Sequence, residues 1–402
     1  MNPDGIYLLL FFVAGALAVP SVSRRLGLPN AVGEIIFGVI LGYMFSVHLV
    51  LNTEVVSFLA TFGFIVLMYM AGLEIDLEDL KTMPRREIIV IHSYFVALVG
   101  VAVVVTWLLN QPPFFILLYC TMAIGLLYPV LREMNLLQRD LGKNLLIIAS
   151  MGEIYVLLAL TFFVIQYDYG ITAEALLRIS YVLFFSFAAY LFLRLLQLLL
   201  WWYPSLASLF LHTGNLNESG VRSNFVIMLA FVSLAILLGI EPIVGAFIGG
   251  ILFSAVFKEK ESIRGSFSVL GNGFLIPIFF IYVGYQFDLG LLLHPEFVIN
   301  ALVFSLAFLL IRLVAVFPFA FSRRSWREVL MVPVATAYPL TLLVAFGQVG
   351  LSLNIIDERT ASSVVLAAMI CALVYPSIMR FMSQRLVVSE ARNGNDSVSR
   401  ER

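Results

Sequence analysis

Residues 147–164 read IIASMGEIYVLLALTFFV, an apolar run interrupted by one acid, Glu153, with no basic residue within a helical turn of it. Such a run is long enough for most of a membrane crossing, since a hydrocarbon layer of about 30 Å takes about 20 apolar residues as a helix. The rest of the chain has the same character. Of 402 residues 61% are hydrophobic and 12% carry formal charge, and the mean hydropathy is +1.01. A backbone in lipid must satisfy its own hydrogen bonds, and runs of this length do so as helices, so the sequence reads as an all-α polytopic membrane protein.

Thirteen windows qualify as spans, at about 5–22, 31–48, 54–72, 87–108, 113–131, 143–166, 175–201, 222–239, 241–257, 267–286, 295–320, 328–349 and 361–383. The first lacks a basic leader, so it reads as a span rather than a cleaved signal. Alternate connections, among them SRRLGLPN, KEKESIRGS and SRRSWRE, together with the C-terminal end of the chain from Arg380 on, hold 20 of the 24 Lys and Arg. By the positive-inside rule those connections face the cytoplasm, with the N-terminus outside and the C-terminus inside, as an odd number of spans requires; the expected location is the plasma (inner) membrane. The domain reading is a transmembrane domain over 1–383 and a short, polar, disordered cytoplasmic tail over 384–402. Cys120 and Cys371 lie in apolar runs and the four histidines are scattered, so neither a disulfide framework nor a metal-ligand cluster is suggested. There is no phosphate-binding loop, no Ser/His/Asp arrangement and no basic nucleic-acid patch; no enzyme, no cofactor and no nucleic-acid partner is expected.

Ionisable groups deep in a membrane face a bundle interior or an aqueous path, and two stand out. Glu153 lies 10 residues, roughly 15 Å, from the cytoplasmic start of its window, and Arg312 about 9 residues, roughly 13 Å, from the cytoplasmic end of its own. Shared depth makes Arg312 the expected counter-charge of Glu153. A purely structural ion pair is the alternative. Arg194, beside two tryptophans, reads as a snorkelling interfacial residue. Glu34 lies near a helix start and is either a first-turn carboxylate or the lining of a cytoplasmic funnel. Asp76 and Asp288 follow helix ends and read as loop residues. The fifth window carries Gly125 and Pro129, and the twelfth Pro333, Pro339 and Gly347. Proline removes a backbone donor and crowds the preceding turn. Interrupted spans of opposite direction in the two halves point to an inverted-repeat transport site near the midplane.

The segments LPNAVGEIIFGVILGY (28–43), FIVLMYMAGLEIDL (64–77), YPVLREMNLL (128–137), EPIVGAFIGGILFS (241–254) and GFLIPIFFIYVGYQFDL (273–289) together resemble the second cation/proton antiporter family, the Kef-type and Nap-type exchangers. The resemblance covers nearly the whole chain. It implies a thirteen-helix inverted repeat with two broken crossing helices, a dimerisation domain and a mobile core, and a homodimer in the bilayer. It places Glu153 at the family's ion-binding acid and Arg312 where some relatives have a lysine. Gly152 stands where relatives have Asp, Asn or Gln, Met122-Ala123-Ile124-Gly125 replaces their hydroxylated crossover, and Ala337-Tyr338-Pro339 replaces a charged segment. Further oxygens would then come from Thr121, Ser150, Thr336, Thr341 and backbone carbonyls near Gly125 and Pro339, a set suited to a monovalent rather than a divalent cation. The implied function is antiport of Na⁺ or K⁺ against protons by alternating access, electroneutral, with proton and cation competing for Glu153. A gated cation channel, or a non-transporting sensor or assembly protein on the same scaffold, is the alternative. Gly38-x-x-x-Gly42 and Gly245-x-x-x-Gly249 are expected at close helix crossings of the kind subunit contacts favour.

Overall fold

The structure, a computed structural model, describes residues 3–48, 54–74, 84–137, 139–170, 172–202, 216–238, 242–256, 267–322 and 325–400. Asp76 lies outside these. Among the described residues all regular structure is helical, and each apolar window holds one helix or a pair of shorter ones. Among the described residues seven helices are individually long and apolar enough to cross a membrane, and a bent pair makes an eighth. The chain divides into two compact units, one formed by residues 1–81 and 157–289, the other by 82–156 and 290–402.

The first unit contains α1 (Pro3–Leu26), α2 (Asn30–His48) and α3 (Glu54–Glu74). The second half of α7 (Asp140–Tyr169) follows, with α8 (Ala173–Trp202), α9 (Leu216–Leu237), α10 (Pro242–Val256) and α11 (Phe267–Tyr285). Without a hydrophobic drive between helices in lipid, close approach is set by small residues. A Cβ on Gly38 would run into the Ile281 carbonyl of α11, and one on Gly284 into the Ile35 carbonyl of α2, so the two helices touch backbone to backbone. Gly42 meets the Tyr285 carbonyl in the same way. The second stripe faces α9, where a Cβ on Gly245 would stand 2.5 Å from that of Ala235 and one on Gly249 2.8 Å from the Phe231 ring. Both stripes therefore lie at close helix crossings, as expected, and these crossings are within this unit. Leu8, Phe12, Leu41, Val56, Ile278 and Ile281 pack one core, and Ile165, Phe231, Ala235, Val244 and Ile248 a second. Between them in sequence, buried Tyr69 of α3 donates to Asn224 Oδ1 of α9 at 3.0 Å.

The second unit contains α4 (Arg85–Leu108), α5 (Phe114–Cys120), α6 (Leu127–Glu133) and the first half of α7. It is completed by α12 (Pro295–Ala315), α13 (Trp326–Thr336), α14 (Leu340–Ser352) and α15 (Glu358–Arg400). Asn110, Asn135 and Asn354, in the left-handed region at φ 50°, 54° and 54°, close α4, α6 and α14, a conformation asparagine tolerates better than most residues. Ser325 and Glu328 cap the start of α13 reciprocally, Glu328 N–H donating to Ser325 Oγ at 3.4 Å and Ser325 N–H to Glu328 Oε2 at 3.0 Å.

Two windows differ from their expected form. The span expected at 295–320 is α-helical only to Ala315 and continues as a 3-10 turn over Phe317–Phe321. Pro318 explains this, because its ring crowds the carbonyl four residues back and it has no N–H to donate. Arg312 consequently occupies the last turn of its α-helix rather than its interior. At the C-terminus, the apolar part of α15 is Glu358–Ser383, so that helix starts before its expected window at 361–383.

Candidate ion-binding site

The fifth window is broken in the middle. α5 ends at Cys120, Thr121 turns to an extended conformation (φ −57°, ψ 132°), and α6 begins at Leu127. A break of this kind frees carbonyls at the end of one half-helix and N–H groups at the start of the other, and in an apolar surround each needs a partner. The Thr121 hydroxyl donates to the Leu118 carbonyl at 2.7 Å. The two intramembrane charges take further groups. Arg312 Nη2 donates to the Thr121 carbonyl, while its Nη1 donates to the Phe308 carbonyl of its own helix at 2.8 Å. Three residues along, Ile124 N–H donates to Glu153 Oε2 at 3.2 Å. Arg312 is fully buried and Glu153 is 2% exposed. Base and acid thus hold opposite ends of one four-residue stretch, the cation on a freed carbonyl and the anion on a freed N–H. The guanidinium carbon lies 5.4 Å from the Phe308 ring centroid, and its Nε has no hydrogen-bond partner among the described residues.

A second break parts α13 from α14 at Ala337-Tyr338-Pro339, with a bend of 40°. Pro339 occupies the N-cap position of α14, and its carbonyl accepts from Leu343 N–H at 2.9 Å. The two breaks approach each other: a Cβ placed on Gly125 would lie 3.5 Å from Thr341 Cγ2 and 3.6 Å from its hydroxyl. Thr336, at the end of α13, donates to the Val332 carbonyl at 2.8 Å and lies 3.3 Å from the hydroxyl of buried Tyr94 on α4. Ser150, one turn before Glu153, donates to the Leu146 carbonyl at 2.8 Å. These hydroxyls spend their hydrogens on carbonyls and keep oxygen lone pairs.

Glu153, Arg312, Thr121, Ser150, Gly152, Gly125, Thr336, Pro339 and Thr341 accordingly all fall in the second unit. Glu34 does not. It is 4% exposed on α2 of the first unit. Arg194 is exposed on α8, as a snorkelling side chain would be, and Asp288 follows α11. Two contributors were missed from the sequence. Tyr94 carries a signal, as a polar group in the apolar window IIVIHSYFVALVG, but no charge marks it. The Ile124 N–H had none, because a backbone donor freed by a break has no letter of its own.

A buried acid and a buried base meeting at a helix break, in an apolar helical chain, define an integral multi-pass membrane protein built as transporters are. Residues 8–385 match the family model described as sodium/hydrogen exchanger, transmembrane, and the chain belongs to that family. A Na(+)/H(+) antiporter of Enterococcus hirae is 27% identical over 376 residues, 91% of this chain and 94% of that protein. A probable Na(+)/H(+) antiporter of Methanocaldococcus jannaschii is 26% identical over 407 residues, 96% of this chain and 99% of its own. The Na(+)/H(+)-K(+) antiporter GerN of Bacillus cereus is 27% identical over 270 residues, 65% of this chain and 66% of its own. Among solved structures, a sodium proton antiporter of Methanocaldococcus jannaschii at pH 8 has the same fold, with a TM-score of 0.68 at 14% identity, covering 95% of this chain and 98% of that one.

Proposed function

We propose that this protein exchanges a monovalent cation, Na⁺ or K⁺, for protons across a membrane, with the two competing for Glu153. The observation that carries the reading is the placement of that carboxylate, buried to 2% exposure and 3.2 Å from the N–H freed in the α5–α6 break. A buried carboxylate favours being neutralised, by a proton or by a cation, and the two cannot occupy it together. The sodium/hydrogen exchanger family and the antiport named for its relatives support the same reading.

In this mechanism the hydroxyls of Thr121, Ser150, Thr336 and Thr341 and the carbonyls at the breaks supply neutral oxygens around one carboxylate, a complement suited to a monovalent ion. One acid exchanging one proton for one cation makes the cycle electroneutral. Arg312 supplies the opposite charge through the same break and steadies the empty carboxylate. The second unit is the core and moves as one body, opening Glu153 alternately to the two sides, while the first unit is the scaffold and dimerisation domain. Thirteen spans arranged as an inverted repeat, an external N-terminus and a cytoplasmic C-terminus in the plasma membrane complete the proposal, together with membership of the Kef- and Nap-type branch. Purified protein reconstituted in liposomes with an imposed pH gradient tests it: addition of Na⁺ or K⁺ should dissipate the gradient. Cation current without proton movement would turn the reading to a channel.

A further inference from the structure

Gly152 sits directly before Glu153, and the space its side chain would fill is occupied. A Cβ at 152 would lie 2.5 Å from Met122 Sδ, 3.0 Å from Met122 Cβ and 3.0 Å from Phe95 Cε1. Ordinary carbon contacts fall at about 3.5–4.0 Å, so even one methyl group does not fit unless both neighbours retreat. Phe95 is not free to do so, being packed edge-on against Tyr155 at 4.9 Å between centroids and tilted against Tyr94 at 5.5 Å. Met122 is fully buried within the α5–α6 break, two residues before the Ile124 N–H that Glu153 accepts from. Its thioether therefore fills the side-chain space of residue 152, the neighbour of the buried acid.

We propose that Met122 sets the cation affinity of the exchange site, its side chain standing where residue 152 would otherwise present a second polar group next to Glu153. The proposal rests on Glu153 being the exchange acid. A thioether is a soft, weakly accepting group that gives a hard Na⁺ or K⁺ nothing to replace its hydration. The cation therefore meets one carboxylate and an apolar wall, and its affinity is set by Glu153 and the neutral oxygens alone. Removing the thioether relieves the closest of these overlaps, the 2.5 Å one with Sδ, so that with alanine at 122 an asparagine at 152 is able to bring an amide oxygen toward the ion.

The test has two independent readouts. In detergent, thermal unfolding of wild type, Gly152→Ala, Met122→Ala and the double variant forms a cycle that needs no transport. Gly152→Ala should lower the midpoint in the wild-type background and lower it less, or not at all, alongside Met122→Ala; additive changes, or a Gly152→Ala midpoint at or above wild type, overturn the packing on which the proposal stands. In liposomes, Met122→Ala/Gly152→Asn should need about fivefold less Na⁺ for half-maximal exchange than Met122→Ala, the gain of one added oxygen contact. An unchanged half-saturating Na⁺ overturns the affinity role even where the stability coupling is present. Absence of cation/proton exchange by the wild-type protein is a different failure, of the antiport reading itself, and leaves the thermal cycle to be judged separately.

Discussion

Arg312→Lys keeps the charge and removes the fork. In the native protein one planar guanidinium donates simultaneously to the Thr121 and Phe308 carbonyls from two different nitrogens, inside a site with no exposure to solvent. An ammonium concentrates its donors at one point on a flexible stem and cannot span both acceptors. Lysine should thus satisfy one carbonyl and strand the other, and a hydrogen bond from a charged donor contributes about 1.5–3 kcal/mol. Because Thr121 lies only three residues before Ile124, a loosened Thr121 carbonyl also loosens the N–H that holds Glu153. The expected result is a melting midpoint a few degrees lower in detergent and slower Na⁺- or K⁺-driven proton movement in liposomes. Arg312→Ala, which strands both carbonyls, should be worse on both counts. If Arg312→Lys matches wild type in midpoint and rate, or Arg312→Ala transports normally, the guanidinium does not hold the break and the reasoning is wrong.

Gly38→Val would force side-chain atoms into the Ile281 carbonyl, a backbone atom that cannot swing aside, so the α2–α11 crossing must open. Overpacking of this kind costs about 1–3 kcal/mol, and a midpoint equal to wild type in a detergent melt would contradict the backbone contact. Asp357, beyond the apolar spans, accepts from Thr360 N–H at 2.9 Å, and that bond together with the Thr360 side chain holds its carboxyl below the usual range. A depressed carboxylate adds stability above its unfolded value, near pH 4, and loses it as pH falls through the folded value. Asp357→Ala should accordingly lower stability by about 1 kcal/mol at neutral pH, the usual worth of such a cap, and by less as the solution is acidified. A difference that stays constant from pH 7 to pH 3 in parallel melts would rule out the ionised cap.

Much of the fold is legible in the sequence because lipid leaves the backbone few choices. An apolar run such as 147–164 becomes a helix whatever its neighbours are, and each of the thirteen windows holds helix where described. The broken spans were legible too, through Pro339 and Gly125. Where α5 stops was not, since Thr121 and Met122 carry no breaker chemistry and only the tertiary partners of their backbone make the turn tolerable. Pro318 did signal the end of the α12 helix, and was absorbed into a span by its apolar neighbours. The site divides in the same way. Glu153 is conspicuous as a charge in an apolar run, and so is Arg312. What sequence pairing suggested for Arg312 was a carboxylate, whereas the hydrogen bonds found are to carbonyls, which every residue carries and no letter reveals. Gly152 was legible as an absent side chain, but that Met122 fills its place required the fold to bring together residues thirty apart.

The most direct test of the central claim is proton movement by Glu153→Gln. Glutamine keeps the size and most of the packing of the side chain, and can still accept from Ile124 N–H, but it cannot trade a proton for a cation. Reconstituted into liposomes with a pH gradient and shown to be folded, Glu153→Gln should leave the gradient intact on addition of Na⁺ or K⁺, while Glu153→Asp, which withdraws the carboxylate by one methylene, should dissipate it slowly. Dissipation by Glu153→Gln at the wild-type rate would contradict the account, and would leave Glu153 a structural acid at a helix break.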